Sequence, residues 1–153
     1  MQQIQKTISE FIKDGATPSV APSDTVTAAV DVMRSHGTNY VVILDDAKLV
    51  GIFTERDFLN RVTAARRDPG STEMRDVMTS DLQTLSSSDC ISYAINQMAV
   101  GGFRNVPIVD PDGTFRVVLT VREVIGHLTE LLTEAQVGAD AGDMQEWTDI
   151  GGG

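Results

Sequence analysis

The stretch SDTVTAAVDVM at residues 23–33 decides the fold, because the chain repeats it as SDCISYAINQM at residues 88–98. In both copies the apolar side chains recur at intervals of three and four residues, which is the spacing of an amphipathic helix. A Ser-Asp pair before each stripe predicts the helix start. Gly37 and Gly102 stand just past the stripes, where glycine commonly ends a helix. The repeat indicates two copies of one structural unit.

The similarity between the two copies extends over two hairpin strands and a second helix, so each copy predicts the order β-α-β-β-α. The matching stretches, first copy before second, are the short strands 19–21 and 84–86, the hairpin strands 40–45 and 105–110, the hairpin strands 49–53 and 115–119, and the second helices, which begin at Thr54 and Thr120 and end near Ala65 and Leu132.

A three-stranded unit with a single apolar face cannot bury that face alone, whereas two such units packed face to face can. We therefore predict an α+β fold in which the two repeats pack around an approximate twofold axis. The predicted division of the chain is motif 1 with its N-terminal approach segment at 1–65, a linker at 66–72, motif 2 at 73–132 and an acidic tail at 133–153.

The charge distribution argues against nucleic acid as a partner. The net charge is −10, and residues 123–153 hold seven carboxylates and no Lys or Arg. This leaves 15 of the 22 acidic residues against all 12 basic ones, a charge of −3 for residues 1–122. A chain without a basic stripe is not expected to bind nucleic acid in general, although a local basic pocket for a phosphate remains compatible.

The composition also argues against a membrane protein and an enzyme. No apolar run approaches the ~18 residues of a membrane span, and residues 1–15 lack the basic start and apolar stretch of a signal peptide. The single Cys90 excludes an internal disulfide and is consistent with a reducing cytoplasm. With only His36 and His127 present, we expect no metal site and no His-based triad.

Two further runs complete the pattern: LVGIFTERDF at 49–58 and FRNVPIVDPDGTFRVVLTVRE at 103–123. Together with the repeated helix they resemble a pair of CBS motifs, a Bateman module. The resemblance covers roughly residues 7–132, including the approach segments ISEFI at 8–12 and MRDVM at 74–78. It implies a stand-alone regulatory protein that binds an adenosine ligand, requires no cofactor and pairs into homodimers through helix faces.

The resemblance also implies a nucleotide cleft in each motif. In the family, the Thr and Asp of the Thr-Glu-Arg-Asp run bind phosphate and ribose, roles that fall here to Thr54 and Asp57. The chemistry is reasonable, because a helix start favours an anion and a carboxylate accepts hydrogen bonds from a ribose diol. Apolar strand residues at matching positions would hold the adenine: Val20, Tyr40, Val41 and Ile52 in the first cleft, and Leu85, Val106, Pro107 and Val118 in the second.

Three arginines near the helix starts are candidate phosphate ligands. Arg104 precedes Asn105 at a place where related modules hold a basic residue against phosphate, and a solvated loop arginine is the alternative. Arg56 and Arg122 lie in first helical turns, where a cation opposes the helix dipole. This indicates an anionic neighbour, which is either a ligand or an adjacent carboxylate.

In the second motif Thr120 and Glu123 take the places of Thr54 and Asp57. Glu departs from the family's usual Asp, and Val117 stands where the first motif has glycine, so we expect a more crowded second cleft. Thr-x-x-Asp and Thr-x-x-Glu at a helix start are also capping boxes. The residues alone leave ligand binding and helix capping open.

Three functions remain from the sequence. The leading one is a regulatory module that senses AMP, ADP or ATP, with NAD or S-adenosylmethionine fitting the same class of cleft. The second is a structural dimerisation module with empty clefts, and the third and weakest is an enzyme, since no nucleophile has an orienting base. The acidic tail is interpreted either as disordered or as a segment that docks on a protein target through Met144 and Trp147.

Overall fold

The computed structural model describes residues 5–148, with side chains described for residues 5–139. In chain order, the elements are α1 (Ile8–Phe11), β1 (Ser19–Val20), α2 (Val26–His36), β2 (Tyr40–Asp45), β3 (Lys48–Thr54), α3 (Glu55–Asp57) with its continuation as a π-helix (Phe58–Thr63), α4 (Met74–Val77), β4 (Leu85–Ser86), α5 (Ile91–Gly101), β5 (Asn105–Val109), β6 (Phe115–Thr120) and α6 (Val121–Thr148). The order confirms the two predicted β-α-β-β-α repeats and the α+β class.

The two repeats share their sheet topology in detail. Each forms a three-stranded sheet in which the first pair of strands is parallel and the second antiparallel, in the orders β1-β2-β3 and β4-β5-β6. The hairpin register shifts directly after Ile43 in the first sheet and directly after Ile108 in the second. The helix stops are also confirmed, because Gly37 and Gly102 have φ values of 62° and 69°.

Alternate strand residues point to opposite faces of each sheet, which divides the apolar side chains among three clusters. One face of each sheet packs under its own helices. In the first core these residues include Val26, Ala29, Met33, Val41, Ile43 and Phe53, and in the second Ile91, Ala94, Met98, Val106, Ile108 and Leu119. The opposite faces meet in a third cluster of Tyr40, Val42, Ile52 and Val118. The face-to-face packing expected from the sequence is therefore present.

The approach segment that precedes each repeat packs with the other repeat. Ile8 of α1 is fully buried in the second core, whereas Met74 and Val77 of α4 are buried in the first. The N–H of Ile91 donates to the carbonyl of Lys6 at 2.9 Å. The sequence analysis grouped the first segment with motif 1 by order along the chain, but in space it crosses to motif 2. The two repeats are thus joined by an exchange of short helices.

The second helix of motif 2 does not end near Leu132, and that prediction is wrong. α6 continues to Thr148, so a disordered stretch at 133–148 is also not observed. The reason is composition, because five of the nine residues at 133–141 are the helix formers Ala, Glu and Gln and none is proline. A docking role for the side chains of Met144 and Trp147 lies outside the described residues. Over residues 5–148, no helix is both long and apolar enough to cross a membrane.

Candidate functional site

Thr54 and Asp57 form a closed capping box at the start of α3. Oδ2 of Asp57 accepts hydrogen bonds from the N–H of Thr54 at 3.0 Å and from its Oγ1 at 3.2 Å. In return the N–H of Asp57 donates to Oγ1 of Thr54 at 3.3 Å. The capping interpretation of this motif is therefore realised, and it occupies one of the two carboxylate oxygens.

The other oxygen of Asp57, Oδ1, has looser partners. Oγ1 of Thr79 donates to it at 3.4 Å, and Nε of Arg61 lies 3.7 Å away. The Asp57 side chain is 16% exposed, so it is largely buried yet reachable from solvent. Sequence analysis missed Arg61 and Thr79. The i, i+4 spacing of Asp57 and Arg61 was a visible signal, whereas nothing local pointed to Thr79.

The second motif repeats the box with Glu in place of Asp. Oε2 of Glu123 accepts from the N–H of Thr120 at 2.8 Å and from its Oγ1 at 2.9 Å, and the N–H of Glu123 donates to Oγ1 of Thr120 at 3.3 Å. Glu123 is exposed, in contrast to Asp57. Register pairs Thr120 with Asn105, which brings the predicted residue Asn105 beside this helix start.

Val117, which was expected to crowd the second cleft, borders an open groove. A groove of about 400 Å³ remains beside Val117, Val118 and Glu123, where α1 meets β6 and α6. At the matching position of the first repeat, a methyl group on Gly51 would stand 2.5 Å from Sδ of Met78. Glycine at position 51 thus reflects the close approach of the α4 segment to β3.

The predicted adenine contacts divide between two faces of the sheets. Tyr40, Ile52 and Val118 lie in the cluster between the repeats, with 9%, 8% and 1% of their surface exposed. Val41 has no exposed surface and packs under α2, so the structure does not place its side chain beside that of Tyr40. The physical reason is strand alternation, which places Tyr40 and Val41 on opposite faces.

The remaining apolar candidates are buried on the helix side of the sheets or within β5. Val20 belongs to the first core, and Leu85 and Val106 belong to the second. Leu85 and Val106 also line a cavity of about 290 Å³ with Tyr93 of α5. Pro107 is buried within β5. These candidates therefore lie in the cores beneath the helices or within β5, and not in the cluster that holds Tyr40.

Arg56, Arg104 and Arg122 are exposed, and among the described residues their guanidinium groups make no ion pair or hydrogen bond. Arg56 therefore does not form the ion pair with an adjacent carboxylate that the sequence left open as an alternative. The carbonyl of Arg104 accepts from the N–H of Val121 at 2.9 Å, which fixes the Arg104 backbone against the first turn of α6. Arg104 and Arg122 thus stand at the same helix start.

Tyr40 links the two sites electrostatically. It pairs with Thr54 in the β2–β3 ladder, and its ring lies in the cluster between the repeats. Burial raises the pKa of Tyr40, and the negative charge of Glu123 raises it further. Tyr40, a residue of motif 1 beside the start of α3, therefore interacts electrostatically with Glu123 at the start of α6.

The comparisons with known proteins match both repeats. The family profile described as CBS domain matches residues 10–64 and 74–130. The CBS domain-containing protein CBSCBSPB3 of Arabidopsis thaliana is 34% identical over 133 residues, which is 86% of this chain and 24% of that protein. The CBS domain-containing protein YhcV of Bacillus subtilis is 31% identical over 110 residues, 70% of this chain and 78% of that protein. The chain thus spans only about a quarter of the plant relative's length.

The fold also matches a solved structure of a CBS domain protein from Pyrobaculum aerophilum complexed with AMP. The TM-score is 0.71 at 23% identity, and the match covers 84% of this chain and 99% of that chain. At this level of identity the similarity establishes the arrangement of two repeats and their sheets.

Proposed function

Because this chain belongs to the CBS domain family and carries two CBS domains in tandem, we propose that it is a regulatory module that binds an adenosine nucleotide, AMP, ADP or ATP, between the domains. The observation that carries the proposal is the carboxylate of Asp57. It is held at a helix start by Thr54, it is largely buried, and its Oδ1 has only weak partners.

The geometry of Asp57 suits a ribose diol. Oδ2 accepts two hydrogen bonds from Thr54, at 3.0 and 3.2 Å, so the side chain is pre-oriented. The hydrogen bond that reaches Oδ1 is long at 3.4 Å, and a carboxylate oxygen accepts more than one donor. A ribose hydroxyl can therefore donate to Oδ1 without breaking the capping box. Helix capping and ligand binding are compatible at this residue.

The phosphate is assigned to the arginines that have no described partner. A guanidinium binds phosphate oxygens through charge-assisted and often bidentate hydrogen bonds. In a chain with a net charge of −10, exposed and unpaired arginines beside helix starts provide the local positive charge that a nucleotide needs. We assign this role to Arg104 and Arg122 at α6 and to Arg56 at α3. The AMP complex of the Pyrobaculum protein supports the adenylate class.

A second candidate function is a structural dimerisation module with empty clefts. It is favoured by the closed capping boxes in both domains. It is also favoured by Leu59 and Ile125, which occupy equivalent positions on the second helices and are 61% and 57% exposed. Burying such side chains against a second copy of the chain would remove apolar surface from water. We propose that these helix faces form a homodimer under either function, and that the downstream target is another protein.

A thermal-shift screen distinguishes the two functions. Binding to the native state raises the melting temperature by mass action, so AMP, ADP or ATP at millimolar concentration is expected to raise Tm. Guanosine nucleotides are the matched control for phosphate and ribose without adenine. NAD and S-adenosylmethionine complete the screen. If no adenine-containing ligand changes Tm and calorimetry shows no heat, the structural function replaces the sensor.

A further inference from the structure

Arg61, in the π-helix that continues α3, makes three contacts that neither helix capping nor the proposed nucleotide binding requires. Its Nη1 donates to the carbonyl oxygens of Met78 at 2.8 Å and Val77 at 3.3 Å. Its Nε lies 3.7 Å from Oδ1 of Asp57. We term Arg61 and these three partners the Arg61 clamp. The clamp joins the carboxylate of the first cleft to residues that lie 16 and 17 positions after Arg61 in the chain.

The stretch that Arg61 holds is the approach to the second domain, and it is also paired to β3. The N–H of Thr79 donates to the carbonyl of Ile52 at 2.9 Å, and the N–H of Ile52 donates to the carbonyl of Thr79 at 3.0 Å. Thr79 also reaches Oδ1 of Asp57 through its hydroxyl. Because this stretch leads into β4, a change at Asp57 or Arg61 acts directly on the connection between the domains.

Among the described residues, the second domain has no counterpart of this clamp. His127 stands four residues after Glu123, as Arg61 stands four residues after Asp57. The His127 ring instead meets Phe11 edge-on, with 4.7 Å between ring centroids. The groove at this position remains open. The clamp therefore belongs to the domain whose Thr-Glu-Arg-Asp motif is complete.

We infer that Arg61 is a positioning residue of the first cleft and couples its occupancy to the connection between the two domains; the inference rests on the proposed nucleotide binding at Asp57. A guanidinium is planar and presents several donors in a fixed geometry, so it can hold a carboxylate and two carbonyls together. A ribose hydroxyl that donates to Oδ1 fixes Asp57, and with it Arg61 and residues 77–79. Coupling between sites is reciprocal, so the contact that transmits occupancy also contributes to affinity.

The test combines amide hydrogen exchange with AMP affinity in wild type, Arg61→Gln and Arg61→Lys. The matched control is Arg67→Gln, because Arg67 is an exposed arginine just beyond the same helix whose side chain makes no ion pair among the described residues. Without ligand, Arg61→Gln is expected to speed exchange at the amides of Thr79 and Ile52, since local opening sets the exchange rate. The Arg67 variant is expected to leave both that rate and the AMP affinity unchanged.

With AMP bound, exchange at Thr79 is expected to slow in wild type. Both Arg61 variants are expected to bind AMP at least about fivefold more weakly, the lower end of typical coupling between sites. They are also expected to lose part of the wild-type preference for AMP over 2′-deoxy-AMP, because Arg61 acts through Asp57. A purely structural role would not change that preference.

Unchanged exchange at Thr79 in ligand-free Arg61→Gln overturns the clamp, whether or not AMP binds. Faster exchange with unchanged AMP affinity and unchanged 2′-deoxy preference overturns the coupling. If wild type binds no adenine nucleotide, the proposed function and the coupling fail together, while the ligand-free exchange still decides the clamp. Arg61→Lys keeps the charge and most of the packing, so the test stands if the Gln variant does not fold.

Discussion

Replacing Asp57 with Glu separates nucleotide binding from helix capping. The second domain shows that Glu closes the same box, since Glu123 accepts from the N–H of Thr120 at 2.8 Å. The variant Asp57→Glu is therefore expected to preserve the start of α3. The extra methylene, however, displaces the oxygen that faces Thr79 at 3.4 Å, which is the oxygen proposed to receive the ribose. We expect a nearly unchanged free energy of unfolding and a large loss of AMP affinity.

The size of the loss follows from one hydrogen bond to a charged group, which contributes about 1.5–3 kcal/mol. At about 1.4 kcal/mol per tenfold change, Kd should rise about 10- to 140-fold. Wild type should lose a similar factor when AMP is replaced by 2′-deoxy-AMP. Because both changes remove the same interaction, combining them should cost little more than either alone.

Calorimetric titration of both ligands into wild type and Asp57→Glu measures these losses, and chemical denaturation measures stability. Glu10→Asp is the matched control, because it makes the reverse change in the capping box of α1, where Glu10 accepts from the N–H of Thr7 at 2.7 Å, and should leave the first cleft unaffected. The reasoning is refuted if Asp57→Glu retains its fold and binds AMP as tightly as wild type. It is also refuted if the losses from the variant and from the deoxy ligand add.

Three other predictions follow from packing, charge and exposed surface. Gly51→Ala places a methyl group 2.5 Å from Sδ of Met78 and is expected to lower stability by about 1–3 kcal/mol, so an unchanged Tm would contradict the close approach. Burial and then Glu123 raise the pKa of Tyr40 above its ordinary value of about 10. Because the pKa of Tyr40 is higher in the folded than in the unfolded chain, its contribution to the free energy of unfolding is present below pH 10 and is lost as pH rises through the raised pKa. Tyrosinate absorbance should therefore develop at lower pH in Glu123→Gln than in wild type, and identical titrations would reject the link. Light scattering should give the mass of two chains for wild type and of one for Leu59→Asp, and a monomeric wild type at micromolar concentration would exclude the dimer.

The repeat made the fold predictable, because each copy carries the same helix stripe, hairpin and glycine stop. Alternation along β2 was also visible, yet a match to family positions placed Tyr40 and Val41 in the same cleft although consecutive strand residues face opposite ways. A match to a family position identifies the strand on which a residue lies. The face of the sheet that the residue occupies decides whether its side chain can reach a ligand. The capping boxes at Thr54 and Thr120 could be expected from spacing alone.

The exchange of approach segments was beyond local reasoning. A four-residue helix such as α1 or α4 shows too little periodicity to indicate which core it joins, and Ile8 and Met74 fit either one. The i, i+4 spacing of Arg61 and Asp57 was visible in the sequence. The other partners of Arg61, at Val77 and Met78, are backbone carbonyls, which the sequence does not indicate. Contacts that depend on the crossing of distant segments become visible only in three dimensions.

Nucleotide binding at Asp57 is tested most directly by an NMR titration of the ¹⁵N-labelled chain with AMP. Saturable shifts are expected at the amides of residues 54–57 and of Thr79, with smaller changes near Arg104, and these shifts should be lost in Asp57→Glu. An absence of saturable shifts at millimolar AMP, or shifts confined to the outer faces of α2 and α5, would contradict nucleotide binding between the domains.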